Sequence, residues 1–213
     1  MYAVKAWRDG SLGDAVFSSA ARMSLGFLLG STIGVALAVV VGSSRLAAGL
    51  LEPLAKFFQA VAGPTWIPLA VLWFGMGWVS VSFIIFNTVF FLVFYNTLMG
   101  IRTVNQTLVN AVLTLGGRRW DVLREVLIPG SVQGMMVGLR IGIGYGWRAL
   151  IAAEMIASGR GLGVLIWEGG RYFAISRIFV GLLLIGLISF VLDKAMAQLE
   201  EHTLGRWGML NRV

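Results

Sequence analysis

Cysteine is absent from this sequence, and histidine occurs once, at His202. No disulfide or thiolate metal site can form, and one imidazole argues against a histidine metal cluster, so no metal site is expected. Lysine occurs three times and never follows a glycine, so there is no Gly-x-x-x-x-Gly-Lys-Ser/Thr loop to cradle phosphates. No nucleophile–base constellation stands out either, and catalysis by this chain is not expected. Charge is the scarcest commodity: 13% of the 213 residues are Asp, Glu, Lys or Arg, against about 25% in a soluble domain. Too few polar side chains remain to cover a water-facing surface of this size.

Apolar residues fill the deficit, at 58% of the chain with a mean hydropathy of +0.84. Residues 23–44 carry no charge, and neither do residues 57–101. A helix needs roughly 20 residues to cross a ~30 Å hydrocarbon core. The first run therefore predicts one crossing and the second predicts two, turning at Gly75-Met76-Gly77-Trp78. Further crossings are expected over about 133–157 and 178–196. The fold class is all-α: a polytopic membrane helical bundle of about five transmembrane helices, in one domain spanning 1–213. Its polar parts are an N-terminal segment (1–22), an amphipathic loop (102–130) and a tail (197–213). The net charge of +7 is assigned to arginines beside lipid headgroups, not to nucleic acid.

With the 102–130 loop placed in the cytoplasm, that side holds nine Lys and Arg residues and the other side six, the sense of the positive-inside rule. Gly26, Gly30 and Gly34, continued by Ala38 and Gly42, recur every four residues in the first span. Gly134, Gly138, Gly142 and Gly146 do so in the fourth. Such stripes let helix backbones approach closely in lipid. Tight packing is the plain reading, and a track on which helices slide is the sharper one. Pro64 and Pro68, in VAGPTWIPLAVLWFG, predict a broken or kinked second span.

The fourth span carries three charges, Arg140, Arg148 and Glu154. Arg148 approaches mid-bilayer if Arg140 sits at the cytoplasmic boundary. A charge there costs at least about 3 kcal/mol unless paired or wetted. Either Arg148 lines a translocation path and favours an anion, or it forms a structural ion pair, for instance with Glu154 of a neighbouring copy. Beyond the span, the stretch 158–177 reads as a surface or re-entrant helix, with Trp167, Tyr172 and Phe173 suited to an interface.

The amphipathic loop contains NAVLTLGGRRWDVLREVLIPG, residues 110–130. Leu108, Val112 and Leu115 share one helical face, and Trp120, Leu123 and Leu127 another. Gly116-Gly117 separates the two pieces, and Pro129 is expected to close the second. Such a segment lies on a membrane surface or docks in a groove. It resembles the loop of bacterial ABC-importer permeases, written Glu-Ala-Ala, three residues, Gly, nine residues, Ile-x-Leu-Pro. Ala111, Gly116 and Pro129 hold the matching positions, while Asn110 replaces the glutamate, Val112 the second alanine, Val126 the isoleucine and Ile128 the leucine. WIPLAVLWFGMG, LTLGGRRWDVLREVLIPG and AAEMIASGRGLGVLIWEG are similar to the nitrate, taurine and alkanesulfonate branch, whose members commonly carry another crossing ahead of the first one here.

The resemblance implies a permease subunit in a bacterial inner membrane, importing a small and anionic solute. The loop would be a coupling helix seated on a cytoplasmic ATPase dimer, which would bind the ATP and Mg; this chain would bind no cofactor. Ala111, Leu115, Gly116, Gly117, Arg118, Arg119, Trp120, Asp121, Arg124 and Pro129 would form that contact, with Gly116 allowing the sharp turn. A second permease copy, more readily a homodimer than a heterodimer, and an extracytoplasmic substrate-binding protein complete the implied assembly. An ion-driven secondary carrier and a non-transporting scaffold are the rival classes; a carrier would want acidic or histidine relays, and only Glu154 qualifies.

Overall fold

A computed structural model of the chain describes residues 11–61 and 63–206. Among these residues there is no strand. The first helix, α1 (Ser11–Ser43), begins well before the expected start at Met23. Most of the segment 1–22 assigned as a polar extension is therefore helix, continuous with the apolar run. Its polar residues are short or paired: Ser19 and Arg22 are buried. Lys5, Arg8 and Arg212, three of the charges counted above, lie outside the described residues.

Ser44 interrupts the chain in an extended conformation, and its side chain caps α2 (Arg45–Ala60). A 3-10 turn (Gly63–Trp66) leads into the short α3 (Ile67–Phe74) at 87° to α2. Pro68 falls in the first turn of α3, where its missing N–H breaks no helical bond. Gly75 and Gly77, at φ 74° and 139°, turn the chain into the long α4 (Trp78–Arg102). The loop region follows: α5 (Gln106–Thr114), α6 (Arg119–Val122) and a π-helical turn (Leu123–Leu127). Then come α7 (Ile128–Ala157), α8 (Leu162–Arg171) and α9 (Ile175–Arg206).

Cross-links between elements define two ends. Gly42 lies against Ile101 and Glu52 pairs with Arg102 at 2.6 Å, so the end of α1, the body of α2 and the end of α4 share the loop end. At the opposite end the Gly77 N–H donates to Ala157 O at 2.7 Å, and Arg22 donates to Arg160 O at 2.6 Å. The chain between Ser43 and Gly77 thus travels from one end to the other through the bent α2–α3 pair. Among the described residues four unbroken helices are long and apolar enough to cross a bilayer, and the bent pair, running from one end to the other, counts as a fifth crossing when taken as one span. The expected count of five holds, but the second crossing is not a helix beginning near 57: it is a break with α2 leading into it.

The core is built around α4. Ile84, Ile85, Val89, Val93 and Phe94 are fully buried. On one side, a Cβ at Gly26, Gly30 or Gly34 would sit 2.9–3.0 Å from the Ser82, Phe86 and Phe90 carbonyls. On the other, a Cβ at Gly134 would lie 2.6 Å from the Asn96 carbonyl, and one at Gly146 would meet Val89 at 2.9 Å. Both glycine stripes therefore close on one helix, on adjoining faces that share Val89 and Val93. Each stripe is filled by α4 along its length, which is the packing reading. By contrast α9 leaves Phe179, Leu182, Leu183, Leu187 and Val191 exposed, the face expected of a helix against lipid.

Candidate coupling segment and intramembrane charges

Asn105 caps α5, its side chain accepting from the Thr107 N–H at 2.9 Å. The helix ends at Gly116, whose φ of +87° only glycine adopts cheaply, with open space around it. Gly117 folds back on Val112; a Cβ there would strike Val112 Cγ1 at 2.6 Å. The Gly116-Gly117 pair thus ends α5 in a left-handed turn, the Gly117 N–H donating to the Val112 carbonyl at 2.9 Å. After it, the Asp121 carboxylate accepts from the Arg118 N–H at 2.6 Å and caps α6. Asp121 is engaged locally, while Arg118, Arg119 and Arg124 point to solvent.

Pro129 departs from its expected role. It does not stop a helix: Arg119 to Ala157 form one continuous helical rod. The π turn at Leu123–Leu127 widens the helix one turn ahead of Pro129, which sits in the first turn of α7. Proline lacks an N–H and its ring clashes with the carbonyl four residues back, and an extra residue per turn relieves both. The loop end of the rod is exposed and apolar. Leu108, Leu113, Leu115 and Trp120 are 46–88% exposed, with Ala111 among them. Facing away from the core, this surface is covered by nothing among the described residues.

The charges within the spans are held very differently. Glu154 is completely buried at the opposite end, where its carboxylate accepts from Ser19 Oγ at 2.8 Å, Arg22 Nη1 at 2.8 Å and the Gly163 N–H at 3.0 Å. Arg22 also lies over the Trp78 ring, and Ser19 Oγ accepts from the Leu162 N–H. One carboxylate thus binds α1, α7 and α8. The Arg148–Glu154 pairing considered from sequence is replaced by Arg22–Glu154 within one chain, and Glu154 does not face an open path. Arg140 reaches across to α9, with Asp193 at 3.3 Å and Glu200 at 3.1 Å. Arg148 is exposed, 5.1 Å above the Tyr145 ring, and borders two concavities of about 400 Å³ each. Trp167, Tyr172 and Phe173 are all exposed around α8 at the opposite end, by 47, 71 and 89%.

Several functional-looking residues were invisible at the sequence level. Arg22 and Ser19 lay in the segment read as polar, and their only signal was proximity to a helical apolar run. Gln59, Asn87 and Thr88 line one Arg148 concavity; polar side chains inside a charge-free run were the available hint.

Five end-to-end passes, with a hinged helical loop between the third and fourth, are the architecture of a type I ABC importer permease. The methionine ABC transporter MetNI, solved in inward-facing conformations, superposes with a TM-score of 0.76 over 88% of this chain and 94% of its own, at 15% identity. Sequence comparison goes further. A putative ABC transporter permease of Methanocaldococcus jannaschii is 36% identical over 90% of this chain and 72% of its own length. The taurine transport system permease protein of Escherichia coli and the nitrate import permease protein of a Synechocystis strain are each 32% identical, over 91% of this chain and 70% of theirs. The family model for the binding-protein-dependent transport system inner membrane component matches residues 30–204. The chain belongs to that family: it is a multi-pass permease subunit of an ABC importer.

Proposed function

We propose that this permease imports a small anion across a bacterial inner membrane, working with an ATPase that binds ATP and Mg, a binding protein at the opposite end, and a second permease copy. The carrying observation is mechanical. The exposed apolar loop turns at Gly116-Gly117, and from Arg119 the helix runs without interruption to Ala157 at the far end of α7. Force applied to α6 therefore reaches the spanning helix directly, with α5 joined to it through the glycine turn. Because α7 is sealed along α4, and α4 along α1, the three move together. ATP-driven approach of two ATPase subunits would pull the coupling segments of two copies together and tilt these triplets.

The taurine and nitrate permeases among the relatives support a small, anion-bearing cargo, and Arg148 supports the sign of its charge. No phosphate loop occurs in the sequence, which supports hydrolysis by a separate subunit.

The test is to purify the permease with its ATPase and binding protein in liposomes and measure substrate-stimulated ATP hydrolysis. Gly116→Pro and Ala111→Trp are expected to cut stimulation by roughly tenfold or more, the range of a coupling energy of 1–3 kcal/mol, with membrane levels of the permease unchanged. Stimulation surviving both changes at full strength means that another surface takes the motor's stroke.

A further inference from the structure

We infer that the cleft between the broken second crossing, α4 and α7 is an anion-binding station at mid-membrane, with Arg148 as its cation and Asn87 and Gln59 as its neutral donors. The inference rests on the importer reading and adds the place and chemistry of the site.

Charge accounting singles out Arg148. Arg22 is neutralised by Glu154, and Arg140 by Asp193 and Glu200. Among the described residues no carboxylate lies within ion-pair distance of Arg148, whose side chain meets the Tyr145 ring. Asp193 borders the other Arg148 concavity, but it is engaged by Arg140.

Depth makes the missing partner costly. The Gly77 N–H donates to Ala157 O, so α4 and α7 are pinned at one level. Arg148 lies nine residues before Ala157 and Asn87 ten after Gly77; at about 1.5 Å per residue, both sit about 14–15 Å inward. That is half of a ~30 Å hydrocarbon core. The Tyr145 ring offsets part of the cost of a guanidinium there; water, an anion or a carboxylate supplies the rest, and the carboxylate is absent among the described residues.

The surroundings match an oxyanion. Asn87 and Gln59 line the same concavity as Arg148, and among the described residues neither side chain makes a hydrogen bond. Two amides and a planar fork of N–H donors suit the separated oxygens of nitrate, bicarbonate or a sulfonate. A volume of about 400 Å³ holds such an ion with several waters. The break in the second crossing makes this room: Gly63 packs directly onto Thr88 Oγ1, with no space for a Cβ, and Pro64 follows on the rim.

Because the chain has no cysteine, Asn87→Cys places a single thiol at the site. The permease–ATPase complex in liposomes is treated with an anionic and a cationic methanethiosulfonate of similar size. The anionic reagent is expected to react faster relative to its rate on free cysteine. Arg148→Gln should lower that preference by about tenfold, the smaller end of what local fields do to encounter rates, and Arg148→Lys should largely keep it. In the Arg148 chain, replacing chloride by nitrate, bicarbonate or methanesulfonate at constant ionic strength should slow the anionic reagent. A preference unmoved by Arg148→Gln, protection by none of the three anions, or a thiol that neither reagent reaches would each overturn the site. ATP-dependent uptake is measured separately, with the unsubstituted permease, its ATPase and its binding protein in liposomes. Uptake of none of the three anions there, with the thiol's preference intact in the Asn87→Cys chain, would sink the anion-import reading and leave the anion site standing.

Discussion

A charge buried among these helices is held by the donors that converge on it. Glu154 shows what that requires. Its carboxylate is fully enclosed and is tolerated because Ser19, Arg22 and the Gly163 N–H converge on it. Removing one member of a buried pair strands the other, at a cost of about 3–5 kcal/mol, whereas replacing both by apolar groups is often neutral. Glu154→Ala and Arg22→Ala are each expected to lower the thermal unfolding midpoint of the detergent-solubilised permease sharply. Arg22→Met with Glu154→Leu should recover most of the loss, and a double variant as unstable as the sum of the singles would show that the two residues act independently. The Arg140–Asp193 pair is exposed, with Glu200 more covered, and exposed pairs contribute little to stability. Sequence position marks Glu154 and Arg148 as unusual because both interrupt an apolar run. The identity of each partner is a different kind of information. Arg22 and Glu154 meet across 132 residues, and helical periodicity has no access to contacts between helices.

Elements carry the most legible features and also the most misleading one. The four-residue glycine spacing shows on the sequence alone that α1 and α7 each have one smooth face. It does not show that both faces close on α4, since the depth of each contact depends on the backbone opposite. That depth separates one glycine from the next. Gly134→Leu must push α7 off the Asn96 carbonyl and Gly100, whereas a methyl added at Gly144 would meet nothing within 4 Å. Gly144→Ala is therefore expected to be neutral or to stabilise by about 1 kcal/mol through helix propensity, while Gly134→Leu should abolish the folded monodisperse permease on size-exclusion chromatography. Equal tolerance at both positions would mean that the α4–α7 seam is not closed in the membrane. Pro129 misleads because proline usually ends helices. Here a π turn upstream accommodates it, a five-residue adjustment that no composition rule reveals. The consequence is favourable to coupling, because a stop at Pro129 would have put a flexible joint between the loop and α7.

At the scale of the whole molecule, the five passes commit the chain to a definite sidedness. Five was legible from two charge-free runs, which give three crossings, and from two further apolar stretches near 133–157 and 178–196. The route of the second pass was not, because α2 keeps Arg45, Glu52 and Lys56 and so hides the approach to the break. Contacts settle which parts share an end: α2 and α4 through Glu52–Arg102, and α1, α4, α7 and α8 through Arg22, Gly77 and Ala157. Between the hinge at Gly116 and the turn at Phe173 there is one long rod, Arg119–Ala157, of about 58 Å at 1.5 Å per residue. Even after its polar first turns are set aside, it exceeds the ~30 Å core, so Leu115 and Phe173 must lie on opposite sides of the membrane. Both are highly exposed, at 88 and 89%, and the absence of cysteine elsewhere makes single-thiol labelling clean. A membrane-impermeant maleimide added to intact spheroplasts is expected to label Phe173→Cys and spare Leu115→Cys. In inverted vesicles the pattern should reverse, and adding the ATPase should then protect position 115 alone. Labelling of both thiols from one side would remove α7 as a crossing, and with it the route by which the loop could move the rest of the bundle.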